Sequence, residues 1–296
     1  MLARMLRFTL ALQMLAGAVL GFWLSPGIAS PLTLPGMAVA AFALPLAITL
    51  LADIYSCTVS RADEPAAIWW RSLAGESLAG IHIFLLRQPW AYAPPQIQAA
   101  PGSHARIPVL LVHGYVCNYR LWDLLIPELR DRGHTVLAIN LEPVFTSIDD
   151  YAPLVERAVQ ALRQHTGQER VAMVGHSMGG LAIRAWMRRY GMDHVARAIT
   201  LGTPHAGTQI NALIRTPNAT QMTWRSSWLQ ELAATETEYT RSLFRIALSP
   251  QDNIVFPQRA QTLAGVTPRV FEGLGHLQLS TDAGVRAWVC QELGLL

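Results

Sequence analysis

One serine stands between two glycines in "GHSMGG" (175–180), directly after the apolar run "VAMV". The spacing fits G-x-S-x-G, in which a strand turns abruptly into a helix and presents the serine at the tip of the turn. Gly175 and Gly179 keep β-carbons out of a turn that would otherwise close on itself, and Gly180 lets the helix pack close. A hydroxyl near a helix N-terminus is placed for nucleophilic attack, since that end favours developing negative charge. It still needs a base to take its proton, and the base needs a carboxylate to fix its tautomer and stabilise its charged form. In such strand–turn–helix sites the chain order is serine, acid, histidine.

Three histidines follow the serine and its helix: His194, His205 and His276. His194 starts a strand, at the wrong end of a sheet. His205 directly follows a strand, and only Asp193 lies between it and Ser177 as an acid. His276, in "FEGLGHLQLS", follows the last expected strand at the carboxyl edge, where an open α/β sheet places its site. "SPQDNIVFP" puts Asp252 at the same edge, and Glu272 is the runner-up acid, close in sequence to His276 and read as still within its strand. The tetrahedral intermediate needs N–H donors aimed at its oxyanion. Met178, after the nucleophile, and Tyr115, in "LLVHGYVCN", are the candidates. The side chains of His113 and His176 read as structural, the second packing or hydrogen-bonding near the site.

These residues must be positioned by a scaffold, and the surrounding pattern supplies one. Apolar runs at 107–114, 134–141, 170–175, 195–202, 242–249 and 267–273 read as strands. Helical spacing fills 119–132, the stretch after Ser147 (with Asp149 and Asp150 in its first turn), 181–190 and 280–293. Alternating strands and helices imply a parallel sheet with helices on both faces. The long interval 208–241 has no strand character and carries Trp224, Trp228, Leu229 and Leu232, as an inserted helical cap would.

Ahead of this lies a different kind of chain. Residues 8–52 contain no charge, and the turn-rich patch "SPGIASP" (25–31) divides them into 8–24 and 32–52. Each piece is long enough to cross a bilayer, which takes about 20 apolar residues. Arg4 and Arg7 precede the first, and Arg61 and Arg71 follow the second, so the positive-inside rule places both ends in the cytoplasm. Two readings compete with this hairpin: a signal peptide cut near residue 29, with the second helix left as an anchor, or a single span that puts the catalytic part outside. Residues 64–99 hold Trp69, Trp70 and Trp90 around an amphipathic stretch, either a helix at the membrane interface or one packed on the following domain. "PP" at 94–95 and "PGS" at 101–103 mark a linker. The expected division is a membrane region at 1–60, an interfacial helix and linker at 61–104, and a catalytic domain at 105–296.

Composition removes other classes. All 23 basic residues are arginine, which excludes Schiff-base lysines, pyridoxal phosphate held by lysine, and a P-loop. A net charge of +3 without a basic block argues against nucleic acid. Cys57, Cys117 and Cys290 form neither a disulfide framework nor a zinc pattern, and no calcium-binding pattern is evident, so no cofactor or metal is expected. The hydrophobic fraction of 51% agrees with a membrane segment.

Taken together, "PVLLVHGY", "VAMVGHSMGG", "AITLGTPHAGT", "SPQDNIVFP" and "GLGHLQLS" resemble the α/β-hydrolase family, and within it bacterial triacylglycerol lipases and esterases. The resemblance covers roughly 106–296, and the membrane-like N-terminus departs from secreted lipases. It implies Ser177 as nucleophile, Asp252 as acid, His276 as base, Tyr115 and Met178 as oxyanion donors, and 208–241 as a lid. The expectation is a serine hydrolase anchored in a bacterial inner membrane, with its catalytic domain cytoplasmic, cleaving lipid-like carboxylic esters. Thioesterase, amidase and acyltransferase chemistry use the same three residues. A tethered binding protein that has lost turnover is the reading from another class.

Overall fold

The structure, a computed structural model, describes residues 1–296 apart from 26, 28–29, 62–64, 102–105 and 211–214. The cleavage point considered near residue 29, part of the linker at 101–103 and part of the interval 208–241 lie outside the described residues.

The uncharged N-terminal stretch forms two helices, α1 (Leu2–Trp23) and α2 (Thr33–Val59), both longer than the expected apolar pieces. They run antiparallel and very close. A β-carbon on Gly17 would sit 2.3 Å from the carbonyl oxygen of Ala40, and one on Gly21 would sit 2.7 Å from that of Gly36. Small residues four apart on each helix let the backbones approach in this way, as in membrane helix pairs. Only 11% and 6% of the apolar windows of the two helices are buried, whereas a core helix of a soluble protein would be mostly covered. Phe8, Leu15, Leu34, Val39, Phe42 and Leu51 are exposed. Both helices are long and apolar enough to cross a membrane. Their outer ends meet the rest of the chain. The Met1 ammonium lies 2.6 Å from Glu142 Oε1, and Arg7 donates to the carbonyl of Pro89 at 2.6 Å.

Helix α3 (Ala66–Gly80) continues into a π-helical segment (Ile81–Arg87). One face, with Trp69, Leu73, Glu76, Ala79 and Ile83, is buried, while Trp70, Leu78 and Leu86 are exposed. This segment therefore packs on the domain that follows and presents apolar side chains on its other side.

Six parallel strands follow in the order β2-β1-β3-β4-β5-β6: β1 (Arg106–Val112), β2 (His134–Ile139), β3 (Val171–His176), β4 (Val195–Leu201), β5 (Phe244–Leu248) and β6 (Arg269–Val270). Successive residues of a strand face opposite sides. Leu110 and Val112 join α5 (Ala152–Thr166) and α6 (Met178–Tyr190) in one core. Val109 and Leu111 join Ala79, Ile83, α4 (Leu125–Asp131) and the C-terminal helix in the other. The chain runs from central β1 out to β2 and back to β3, so β1 and β3 are the switch point, where an open α/β sheet leaves a crevice at its carboxyl edge.

Among the described residues three short helices, α7 (Pro217–Gln221), α8 (Ser227–Ala234) and α9 (Glu238–Ser242), separate β4 from β5. Side chains of Thr216, Ser226 and Thr237 cap them. Elsewhere the boundaries shift for local reasons. The helix expected over 119–132 is a 3-10 turn (Tyr119–Trp122) followed by α4, because Pro127 has no N–H to give and fits only in a first turn. The last expected helix is split into α10 (Gln278–Thr281) and α11 (Ala283–Gly294), the second capped by Asp282. β6 is only two residues long, so Glu272 lies beyond its strand rather than within it.

Candidate active site

Ser177 sits between β3 and α6 with φ 53° and ψ −127°, a backbone conformation that non-glycine residues rarely adopt. A β-carbon on Gly179 would lie 2.1 Å from the carbonyl oxygen of Val112, and one on Gly175 would lie 2.6 Å from the nitrogen of Gly180. The turn is held from the neighbouring strand end. Ser177 N–H donates to Leu201 at 2.9 Å, and the Thr203 hydroxyl donates to the Ser177 carbonyl at 2.9 Å.

Asp252 follows β5 and is almost fully buried. Its Oδ1 accepts from the amides of Ile254 (2.9 Å) and Val255 (2.7 Å), and its Oδ2 lies 2.8 Å from His276 Nδ1. A carboxylate at that distance fixes the proton on Nδ1 and leaves Nε2 as the basic nitrogen. Burial disfavours the imidazolium, but the charge and hydrogen bond of Asp252 and the charge of Glu76 outweigh it, so His276 is raised above the ordinary histidine value. Ser177 and His276 line one cavity. The structure thus gathers the three residues singled out for acyl transfer at one edge of the sheet.

The oxyanion candidates flank the serine. Met178 is the first residue of α6, where backbone N–H groups lack intrahelical partners. Tyr115 follows β1, and its hydroxyl pairs with Thr216 Oγ1 at 3.2 Å, joining this loop to the cap. The next residue, Val116, has φ 52°, unusual for a β-branched residue. His113 steadies the loop: Nε2 accepts from Leu141 N–H at 3.0 Å and Nδ1 donates to the Gly114 carbonyl at 2.8 Å. Burial pulls its pKa down to about 4, so it is a neutral structural ring. His176 pairs through Nε2 with the carbonyl of His276 at 3.0 Å, and its pKa is pulled down to about 3, chiefly by burial.

The other two histidines are engaged elsewhere. His194 lies before β4, beside the carbonyl of Glu169. His205 is buried against Thr200 and Arg184. Arg184 in turn holds Glu236 in a buried two-pronged ion pair, at 2.6 and 3.1 Å, that joins α6 to the chain between α8 and α9.

Sequence reasoning missed the contribution of the N-terminal region. Glu76 of α3 is 1% exposed, and its oxygens accept from the amides of Leu277 (2.9 Å) and Gln278 (3.1 Å), directly after His276. Burial pushes its carboxyl up to about 7, and the backbone amides and His276 oppose that rise. Asn253 accepts from His276 N–H at 3.0 Å and donates to Ser56 of α2 at 2.8 Å. Gln258 bridges the carbonyls of Ser60 and Asp252, at 2.9 Å each. A signal existed in the sequence: Glu76 is an acid on the face of a helix that also carries Trp69, Leu73 and Ile83.

Beside Ser177 lies a cavity of about 630 Å³ under the cap, lined by Pro204, Thr208, Met222, Trp224, Ile254 and Val255 among others. Among the described residues no group of three or more histidine, cysteine or acidic side chains is placed to share a metal ion.

Comparison with known proteins agrees with this architecture. The triacylglycerol lipase of Burkholderia plantarii is 30% identical over 179 residues, covering 57% of this chain and 47% of that protein. A triacylglycerol lipase of Pseudarthrobacter phenanthrenivorans is 32% identical over 133 residues, covering 41% of this chain and 40% of its own length. The chain therefore spans about half or less of these relatives. Aspergillus fumigatus lipase B shares the fold with a TM-score of 0.59 at 16% identity, over 96% of this chain and 85% of its own. The mature lipase BlEst2 of Bacillus licheniformis does so with a TM-score of 0.56 at 17% identity, over 68% and 98% of the two chains. The sequence model of the family described as alpha/beta hydrolase fold matches residues 107–276, more than half of the chain, and this protein belongs to that family.

Proposed function

We propose that the protein is a membrane-anchored serine hydrolase that cleaves carboxylic esters of hydrophobic acyl chains. The observation that carries this reading is the 2.8 Å contact between Asp252 and His276 Nδ1, which fixes the tautomer a general base needs, on a histidine that shares a cavity wall with Ser177. Ser177 Oγ attacks the ester carbonyl as His276 Nε2 takes its proton. The backbone amides of Met178 and Tyr115 hold the oxyanion. The intermediate collapses, His276 returns the proton to the leaving oxygen, and water then hydrolyses the acyl-enzyme by the same route. The cavity under the cap, about 630 Å³ and mostly apolar, suits a long acyl chain, and the lipase relatives support lipid esters. Residues 208–241 act as its cap.

Anchoring rests on α1 and α2, whose outer ends both touch the catalytic part while their apolar flanks stay uncovered. With Arg4, Arg7, Arg61 and Arg71 beside those ends, the catalytic domain belongs on the cytoplasmic face of a bacterial inner membrane.

A fluorophosphonate probe on the purified full chain should label Ser177, and Ser177→Ala should abolish labelling and ester hydrolysis. Absence of labelling on folded protein refutes the hydrolase. On nitrophenyl esters of rising chain length, activity should peak beyond short acyl groups, and a maximum at acetate refutes the lipid preference. A C-terminal reporter active outside the membrane refutes the orientation.

A further inference from the structure

The close approach of Gly17 to Ala40 and of Gly21 to Gly36 sets the register of the N-terminal helix pair. Continued along the antiparallel helices, that register brings Phe8 of α1 about level with Thr49 of α2, and Arg4 about level with Asp53. Charge begins at this level on both helices, because residues 8–52 carry none. Residues 33–52 of α2 rise about 30 Å, the thickness of a bilayer's hydrocarbon core. In a spanning pair the bilayer boundary therefore runs by Arg7 and Asp53.

The chain after α2 is tied to this level at two points. At the end of α3, a β-carbon on Gly80 would sit 3.3 Å from Thr49 Cγ2 and 3.8 Å from Asp53 Oδ2. Beyond the π-helical segment, the Pro89 carbonyl accepts from Arg7 at 2.6 Å, and the Arg7 guanidinium lies 5.0 Å from the centre of the Tyr92 ring. Residues 80–92 thus run from α2 to α1 along the boundary. The uncovered side of α3 and of this segment is apolar. Trp70, Leu78, Leu86 and Trp90 are exposed, Leu78 at 69%. Trp70, Ala74 and Leu78, four apart, make one stripe along α3. From 66 to 90 the one acid is Glu76, which is buried, and the exposed charge on α3 is Arg71. A contiguous apolar face marks an interaction surface. This one joins the apolar flanks of α1 and α2 at Arg7 and Thr49. Tryptophan and arginine at its edges suit the interface of a bilayer with an anionic surface.

The same segment reaches the candidate nucleophile. Phe84 lines a cavity of about 230 Å³ together with Ser177 and His276. At roughly 30 Å³ per water, that is room for about eight waters, so the serine stands one small cavity away from the boundary.

We propose that residues 66–92 form a strap lying flat in the leaflet that faces the catalytic domain, and that the ester reaches Ser177 from that leaflet, past Phe84. The substrate is then an ester resident in the bilayer, taken without passage through water. The strap rests on α1 and α2 spanning the bilayer, and the route rests also on Ser177 being the nucleophile. Lipid contact accounts for a helix that is apolar on both sides: one side packs on the catalytic domain, and the other faces acyl chains.

The test for the strap uses single added cysteines, labelled with a fluorophore, in the full chain reconstituted in vesicles. The wild type, whose three cysteines are buried, gives the background. Labels at Leu78→Cys and Leu86→Cys should lose most of their emission to lipids carrying a nitroxide high on the acyl chain. A label at Glu169→Cys, exposed before β3 at the opposite edge of the sheet, should keep its emission. Leu15→Cys, midway along α1, reports the span itself. Quenching at Leu15 without quenching at Leu78 and Leu86 overturns the strap and leaves the anchor standing. Shielding of Leu78 and Leu86 from aqueous iodide as well as from the lipid nitroxide marks a protein partner, a second copy included, and also overturns the strap. No quenching at Leu15 overturns anchor and strap together. The route is tested by two rates, on a two-chain ester built into the same vesicles and on a short water-soluble nitrophenyl ester. In a double variant, Leu78→Glu with Leu86→Glu, the ratio of the first rate to the second should fall about tenfold or more. An unchanged ratio in a protein that fluorophosphonate labels at Ser177 overturns the route. Failure of the folded protein to label overturns the hydrolase reading and the route with it, while the quenching result stands apart.

Discussion

Glu76 holds both carboxylate oxygens 2.9 Å from the backbone nitrogen of Leu277, the residue after His276, across 201 positions of sequence. An element outside the hydrolase sheet thus fixes the loop that carries the candidate base. Glu76→Ala removes the acceptor from the buried amide of Leu277 and the part-buried amide of Gln278 and should cost about 1–3 kcal/mol of stability. With the loop after His276 released from Glu76, kcat should fall at least about tenfold with little change in KM. Glu76→Gln keeps one acceptor oxygen and should restore most of the rate. Steady-state kinetics on both variants decides this, and an Ala variant with wild-type kcat removes the positioning role.

The same side chain makes stability depend on pH. Its carboxyl is raised from 4.5 to about 7 in the folded state, so between those values the folded protein binds more protons than the unfolded chain. Its contribution therefore declines as pH rises from 4.5 to about 7, by about 3 kcal/mol in all. Thermal unfolding in detergent across this window should show the decline in the wild type and a flatter profile in Glu76→Gln. Equal slopes contradict the assignment.

Under the proposed mechanism the group that controls activity is His276, which must be neutral to accept the Ser177 proton. Its raised pKa puts the acid limb of kcat/KM above the ordinary histidine value of 6.5. Asp252→Asn removes the charge that raises it, so the limb should move to lower pH while the rate itself falls steeply. A limb that stays in place in the variant assigns it to another group.

Arg184 and Glu236 form an ion pair with side chains 0% and 6% exposed, joining α6 to the chain between α8 and α9. Glu236→Ala leaves a buried guanidinium unpaired and should cost about 3–5 kcal/mol. Replacing both by apolar residues of similar size should cost much less. Denaturant unfolding of the single and double variants measures the difference, and a neutral single variant refutes the coupling.

Gly17 and Gly21 face Ala40 and Gly36 with no room for a side chain. Gly17→Val should force α1 away from α2 and lower Tm in detergent. Because α2 touches the acid loop through Ser56 and Ser60, ester hydrolysis should fall with it. Unchanged Tm and activity show that the pair is not closely packed.

The local rules of the chain were legible in its sequence. Short continuous apolar runs gave the six strands nearly in place, and the glycines around Ser177 announced the sharp turn of a strand–helix junction. The order of Ser177, Asp252 and His276 followed because each comes after its own strand at the carboxyl edge. The uncharged stretch from 8 to 52 marked the two helices by length and composition. Elements defined by one or two residues were not legible: Pro127 cut a helix, and β6 shrank until Glu272 fell outside it. Least legible was everything that depends on which surfaces meet. Nothing local says that Glu76 reaches the amides after His276, that Ser56 touches Asn253, or that Asp53 and His176 share a cavity with Ser177. Periodicity reports a residue's own helix or strand, whereas the partner of a buried carboxylate is set by how separate elements dock. Local sequence carried the hydrolase core, the candidate reactive residues and the apolar helices. Only the docking of α2 and α3 on the catalytic part makes them one wall of the cavity beside Ser177, because burying one face of α3 brings its lone acid to the histidine loop.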